Sequence, residues 1–273
     1  LDDEGHLYLR ASAAIGRYNL DTMEEVPFEH GRPIESAHAM YGRQRTDLKG
    51  GLWLERCAHG GESGGHYWQS GIDVNSRGQL VVGWDIRAVN NRREREPLAP
   101  PPGFTWSSGV ARTVFDRDGK MIIPEAIPNP ARGYASRIDN RGDVYVLLGG
   151  RRKYDDGYVT LSSSGCAMKF RVGKGELPDT QWRMKGPGQH GEDYYIEGAD
   201  WLYPYASYVT EGCPCWASTM EVDHFGRSFV PEHHRGQFAV LDTAGNLIMH
   251  IGRYGNVDDG VPFVPDPEGL RAE

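Results

Sequence analysis

Thr219–Gly252 reads TMEVDHFGRSFVPEHHRGQFAVLDTAGNLIMHIG and holds four strand patterns within about 33 residues. Met220 and Val222 alternate with Glu221 and Asp223, the period-two pattern of a half-buried strand. His224-Phe225-Gly226-Arg227 is a tight turn, with Gly226 free to take the positive φ such a turn needs. Ser228-Phe229-Val230 begins a second strand, and Pro231 marks its end or an unpaired edge, because proline cannot donate to a ladder. Gln237–Asp242 is a third strand, Thr243-Ala244-Gly245-Asn246 a second turn, and Leu247–Ile251 a fourth strand. Four antiparallel strands at this spacing predict a small twisted sheet, the size of one propeller blade.

Weaker copies occur upstream, which makes the stretch a repeat unit. Leu1–Asp21 contains a turn at Asp2-Asp3-Glu4-Gly5 and two strands, with the unit's first strand missing or truncated. Gly71–Trp84 turns at Asn75–Gly78, and Ala111–Ile123 adds an outer hairpin around Asp116–Gly119. Ser136–Leu148 opens a third copy that closes around Cys166–Val172. Aligning Asp3, Asp73, Asp139 and Asp223 gives offsets of 70, 66 and 84 residues, longer than the ~40–50 of common blades. The excess is read as loop insertions near 30–69 and 180–212, plus the proline-rich run Arg92–Gly103, in one domain spanning 1–273 or the later part of one.

The composition suits this reading. Among 273 residues there are 36 glycines, 17 prolines, 14 tyrosines and seven tryptophans, and no window sustains helical periodicity. Thirty basic against 38 acidic residues give a net charge of −8, which argues against a general nucleic-acid partner. No apolar run approaches the ~20 residues that span a bilayer. The chain opens at Leu1 almost directly on a strand-turn-strand pattern, which reads as a processed product or a fragment. The expected location is extracellular or periplasmic, any export signal having been removed or lying outside this sequence.

The pattern Asp-x-x-Gly followed by an aliphatic or aromatic strand, then a strand ending in Leu-Asp-x-x-Gly-Asn, resembles the NHL-type β-propeller repeat. Val222–Asn256 carries it over a full unit, and IDVNSRGQLVV, IDNRGDVYVLL and LDDEGHLYL carry its parts. The resemblance covers about half the chain. It implies an all-β propeller of four-stranded antiparallel blades, four recognisable here and about six in a complete protein. It implies little about activity, because such propellers include scaffolds and enzymes.

Several residues can carry chemistry. Cys57, Cys166, Cys213 and Cys215 suit a disulfide staple of the excursions, buried free thiols, or a metal site. The staple is the preferred reading. His59, Glu62, His66 and His233 form a candidate metal set for zinc or copper, set against solvated loop histidines. The Asp-rich turns at Asp2, Asp3, Asp116, Asp118, Asp258 and Asp259 offer oxygens for calcium, although Asp-Gly turns are expected in any hairpin protein. Trp201, Tyr203, Tyr205 and Tyr208 form an aromatic group for a sugar or a protein partner, or for packing a long loop onto the propeller.

Two readings of function follow. The first is a non-catalytic extracellular scaffold that binds a protein or another copy through its insertion face and flanking strands. The second is a secreted lyase or hydrolase acting on polysaccharide, with His66, Tyr67, His233 and Arg235 as nominees near a metal. Covalently attached haem is not expected, since no C-x-x-C-H run exists.

Overall fold

The computed structural model describes residues 1–11, 13–38, 45–54, 57, 71–86, 99–100, 103–104, 109–127, 133–149, 152–154, 157–159, 165–172, 182–185, 193–196, 199–206, 219–232 and 235–252. Those residues build four four-stranded antiparallel sheets, and no α-helix occurs among them. Blade 1 comprises β1 (His6–Ala11), β2 (Ala14–Asn19), β3 (Arg32–His38) and β4 (Arg45–Trp53), in spatial order β1-β2-β4-β3. Blade 2 is a meander of β5 (Ile72–Val74), β6 (Leu80–Ile86), β7 (Gly109–Phe115) and β8 (Met121–Ile123). Blade 3 starts with β9 (Gly133–Ile138) and β10 (Val144–Gly149); a hairpin of β11 (Arg152–Tyr154) and β12 (Gly157–Val159) follows. Next come β13 (Gly165–Phe170), a hairpin of β14 (Trp182–Lys185) and β15 (Asp193–Ile196), and the blade's outermost strand β16 (Trp201–Tyr203). Blade 4 is β17 (Glu221–Val222), β18 (Ser228–Glu232), β19 (Gln237–Leu241) and β20 (Leu247–Gly252).

Two stretches read as excursions contribute strands. Arg32–Trp53 completes blade 1, and Trp201–Tyr203 completes blade 3. Pro231 lies within β18 opposite Phe238, but β17 ends opposite Phe229, so no partner strand asks Pro231 for a donor on that side. In blade 1 the turn Asp2–Gly5 precedes β1, as the corresponding turns precede the second strands of blades 2 to 4. β1 therefore occupies the second-strand position relative to its turn.

Six turns share one construction. Asp2, Asn75, Asp116, Asp139, Asp223 and Asp242 each present a side-chain Oδ1 to the amides two and four residues ahead, at 2.8–3.1 Å. The fourth residue is always glycine with φ between +75° and +88°, which lets the chain reverse into the next strand without a Cβ penalty. Turn heads at Asp2 and Asn75 correct the alignment on Asp3 and Asp73. The oxygen that receives the two amides identifies the head, and spacing alone misplaced it.

The blades pack in sequence through three apolar layers. Ile15, Leu52 and Leu54 meet Leu80, Trp84 and Phe115 between blades 1 and 2. Val81 and Val114 meet Val144, Val146 and Phe170 between blades 2 and 3. Tyr145, Leu147 and Trp201 meet Met220, Val230 and Ala239 between blades 3 and 4. At one end of the strands the first turns form a chain: Asp3 N donates to Ser76 O at 3.0 Å, Ser76 N to Asn140 Oδ1 at 2.9 Å, and Asn140 Nδ2 lies 3.1 Å from His224 Nδ1.

Candidate functional site

A polar constellation forms where blade 3 meets blade 4. β18 carries Glu232 to the sheet end, where the carboxylate is buried at 1 % exposure. A buried carboxylate needs partners, and it has them. The Tyr203 hydroxyl and the Gln237 side-chain amide both donate to it in short hydrogen bonds. Arg235 Nη1 and His250 Nε2 stand 3.6 and 3.5 Å from its Oε2, and the Arg235 guanidinium lies 5.0 Å over the Tyr205 ring. Burial, then the bond to Glu232 and its charge, raise the Tyr203 phenol well above its ordinary range. Tyr203 therefore stays protonated and donating near neutrality, which suits orientation rather than proton abstraction.

A second line of charge crosses the innermost strands. Asp73, Arg137 and Glu221 occupy matching positions, two residues before their turn heads, in blades 2, 3 and 4. Arg137 Nε donates to Glu221 Oε2 at 2.9 Å and its Nη2 to Thr219 Oγ1 at 2.7 Å. Asp73 Oδ2 accepts from Ile138 N at 2.9 Å. Burial pushes the Asp73 carboxyl up to about 6, against the opposing pull of the Ile138 amide and the Arg137 charge. That carboxyl lies on the innermost strand of its blade.

The third feature is an uncovered face. In blade 3, Ala167, Tyr203 and Trp201 are 0, 8 and 8 % exposed beneath blade 4. Counted from the turn heads, the same register positions in blade 4 are Phe238, Ile251 and Met249, at 51, 50 and 53 %. Among the described residues no further sheet covers these positions.

The nominated residues scatter relative to these features. Arg235, Tyr203 and Tyr205 come together at Glu232. Trp201 and Tyr203 belong to the packed layer between blades 3 and 4 rather than to a loop, and Tyr205 remains half exposed. His59, Glu62, His66, Tyr67, Tyr208, Cys213, Cys215, His233, Asp258 and Asp259 lie outside the described residues. Cys57 and Cys166 are free thiols in different apolar layers. Among the described residues no three His, Cys, Asp or Glu side chains converge as metal ligands. Asp2 and Asp116 spend their oxygens on their own turns, and Asp3 pairs with Arg117. Spacing in sequence does not reveal the Glu232 cluster, because the Tyr203 that bonds Glu232 sits in the preceding blade and His250 reaches the same carboxylate from β20.

No protein-family model matches the sequence, and no curated protein matches it. Solved structures resemble it at low identity. A protein of unknown function from Bacteroides caccae aligns at 12 % identity and TM-score 0.37, covering 92 % of this chain and 58 % of that one. A streptogramin B lyase aligns at 11 % identity and TM-score 0.25, covering 71 % of this chain and 57 % of that one. A gluconolactonase from Xanthomonas campestris aligns at 15 % identity and TM-score 0.23, covering 92 % and 76 %. This chain thus spans under two thirds of the first of these proteins. At such identities and TM-scores the resemblances decide nothing about what the chain binds or does.

Proposed function

We propose that this chain is an NHL-type propeller segment serving as a non-catalytic extracellular scaffold, which associates sheet against sheet through the two faces at the ends of its blade series. The observation that carries this is the uncovered face of Phe238, Met249 and Ile251 on blade 4. Blade 1 offers a matching surface. Measured from the turn heads Asp2 and Asp139, its Leu1, Leu7, Leu9 and Tyr18 correspond to Ile138, Val144, Val146 and Phe170, which blade 3 buries against blade 2. Leu1 and Leu9 are 62 and 46 % exposed. The turn residues correspond as well. The junction of blades 2 and 3 joins Ser76 to Asn140, and the corresponding pair between blade 4 and another copy's blade 1 is His224 with Asp3. Exposed apolar faces of this kind mark association sites, and the partner favoured by the register is a second copy.

Sedimentation velocity on the purified chain tests the reading. Growth beyond the monomer with concentration, abolished by Phe238→Asp with Ile251→Asp, is expected; a wild-type chain that stays monomeric and retains no protein partner would sink it.

The Glu232 constellation supports a second reading, action on polysaccharide. A buried carboxylate, a tyrosine, a histidine and an arginine are the raw material of sugar chemistry. Loss of a measured glycan-cleaving activity in Tyr203→Phe, with the fold intact by circular dichroism, would favour it over the scaffold.

A further inference from the structure

Blades 1 and 2 do not close on each other along their whole length. Between them lies a cavity of about 500 Å³, within the range of small-molecule sites. Its inner wall is aromatic and aliphatic: Trp84 and Phe115 from blade 2, Leu52 and Leu54 from the end of blade 1, and Phe104. These side chains are held firmly. Trp84 Nε1 donates to Thr113 Oγ1 at 2.8 Å, that hydroxyl donates to Pro124 O at 2.8 Å, and Phe104 sits edge-on to the indole at 5.9 Å. The mouth has the opposite character. His30, Arg32 and Lys120 border it, all exposed, and the Arg32 guanidinium lies 5.4 Å over the half-exposed Trp53 ring. The rim is tied across the blades where His30 N donates to Asp118 O at 2.9 Å.

The charge at this mouth runs against the rest of the protein. The chain carries a net charge of −8, yet no carboxylate lines the cavity among the described residues. Two permanent cations and a histidine over an aromatic floor complement a ligand with a flat apolar body and one anionic group. The body replaces water against Trp84 and Phe115, and the anion meets Arg32 and Lys120, with Arg32 already oriented by its stacking on Trp53. We infer that the cavity between blades 1 and 2 is a binding site for an aromatic carboxylate or a related aromatic anion. This is independent of the assembly reading, because both blade-end faces lie elsewhere.

The test is a fluorescence titration of the full chain with 8-anilinonaphthalene-1-sulfonate, an aromatic anion that brightens on binding. Its uncharged relative N-phenyl-1-naphthylamine serves as the control. Saturable binding of the anion is expected, weakened about tenfold or more by Arg32→Glu with Lys120→Glu and by Trp53→Ala. The two charge reversals sit on exposed side chains, so circular dichroism should stay native. Phe238→Asp on the blade 4 face should leave this binding unchanged, which separates the cavity from the association surface. Equal binding of the neutral relative, indifference to the charge reversals, loss in Phe238→Asp, or no saturable binding would each overturn the assignment.

Discussion

The Tyr145 hydroxyl donates to Asp139 Oδ2 at 2.8 Å, six residues back across the turn, and the same bond joins Tyr8 to Asp2 at 2.9 Å in blade 1. Each tyrosine also faces a cation across the ladder, Lys169 for Tyr145 and Arg17 for Tyr8. Each cation reaches the second residue of an outer turn in the next blade: Lys169 Nζ lies 3.5 Å from Thr243 O, and Arg17 Nη1 lies 2.7 Å from Arg117 O. Blades 2 and 4 place Val81 opposite Val114 and Phe229 opposite Val240 at the same register. The chain therefore repeats in pairs of blades, a polar lock alternating with an apolar one.

Tyr145→Phe should cost about 1.5–3 kcal/mol, the range for a hydrogen bond to a charged group, because Asp139 stays buried and loses a donor. Lys169→Met should cost more, about 3–5 kcal/mol. It strips the buried Asp139 and Asp143 of a cation that stands 3.6 and 3.2 Å from them. Urea unfolding of both variants measures the two losses.

Asp73 predicts a pH response. Its carboxyl is raised from 3.8 to about 6 by burial, so the folded chain holds a proton that the unfolded chain has released between those values. Stability should fall as pH rises through that window, by about 3 kcal/mol from this group. Asp73→Asn can still accept the Ile138 amide and should flatten this part of the profile, measured as unfolding midpoints between pH 4 and 7.

Two turn glycines should separate strain from crowding. Gly5 and Gly245 share positive φ, at +77° and +83°. A Cβ on Gly5 meets nothing within 4 Å, whereas one on Gly245 comes 2.5 Å from Trp201 Cγ. Gly5→Ala should cost only the backbone term, ~1 kcal/mol. Gly245→Ala should add an overpacking term of ~1–3 kcal/mol, with a visible change in tryptophan fluorescence.

Cys166 is partly buried in the layer between blades 2 and 3, where burial pushes its thiol up to about 12, and Cys57 is 4 % exposed. Peptide mapping after iodoacetamide should find both unmodified in the native chain at neutral pH and alkylated in urea. Rapid native labelling at either position would contradict their placement.

Much of the fold was legible because one turn recurs. Asp-x-x-Gly announces itself wherever the aspartate must cap two amides and the glycine must take a positive φ. Arg32–Trp53 was not legible, for a packing reason. A Cβ on Gly50 would lie 2.6 Å from Pro27 Cβ, and one on Gly51 would lie 2.5 Å from Leu48 Cδ1. Those glycines mark close approach in a strand and imitate a loop in sequence. Trp201 and Tyr203 were hidden by the long insertion separating them from β13. Arg235 and the pair Tyr203 and Tyr205 belong to separate candidate groups in the sequence, and the carboxylate that brings them together, Glu232, acts across two blades that no sequence spacing connects.

Oxidation of Met249 reports whether the blade 4 face associates with another copy. Met249 at 53 % and Met23 at 55 % are equally exposed in the single chain, but only Met249 lies on that face. Peroxide footprinting read by mass spectrometry across a concentration series should show Met249 becoming protected as concentration rises while Met23 keeps its rate. Equal and unchanging oxidation of the two methionines at every concentration would rule out that face as an association surface.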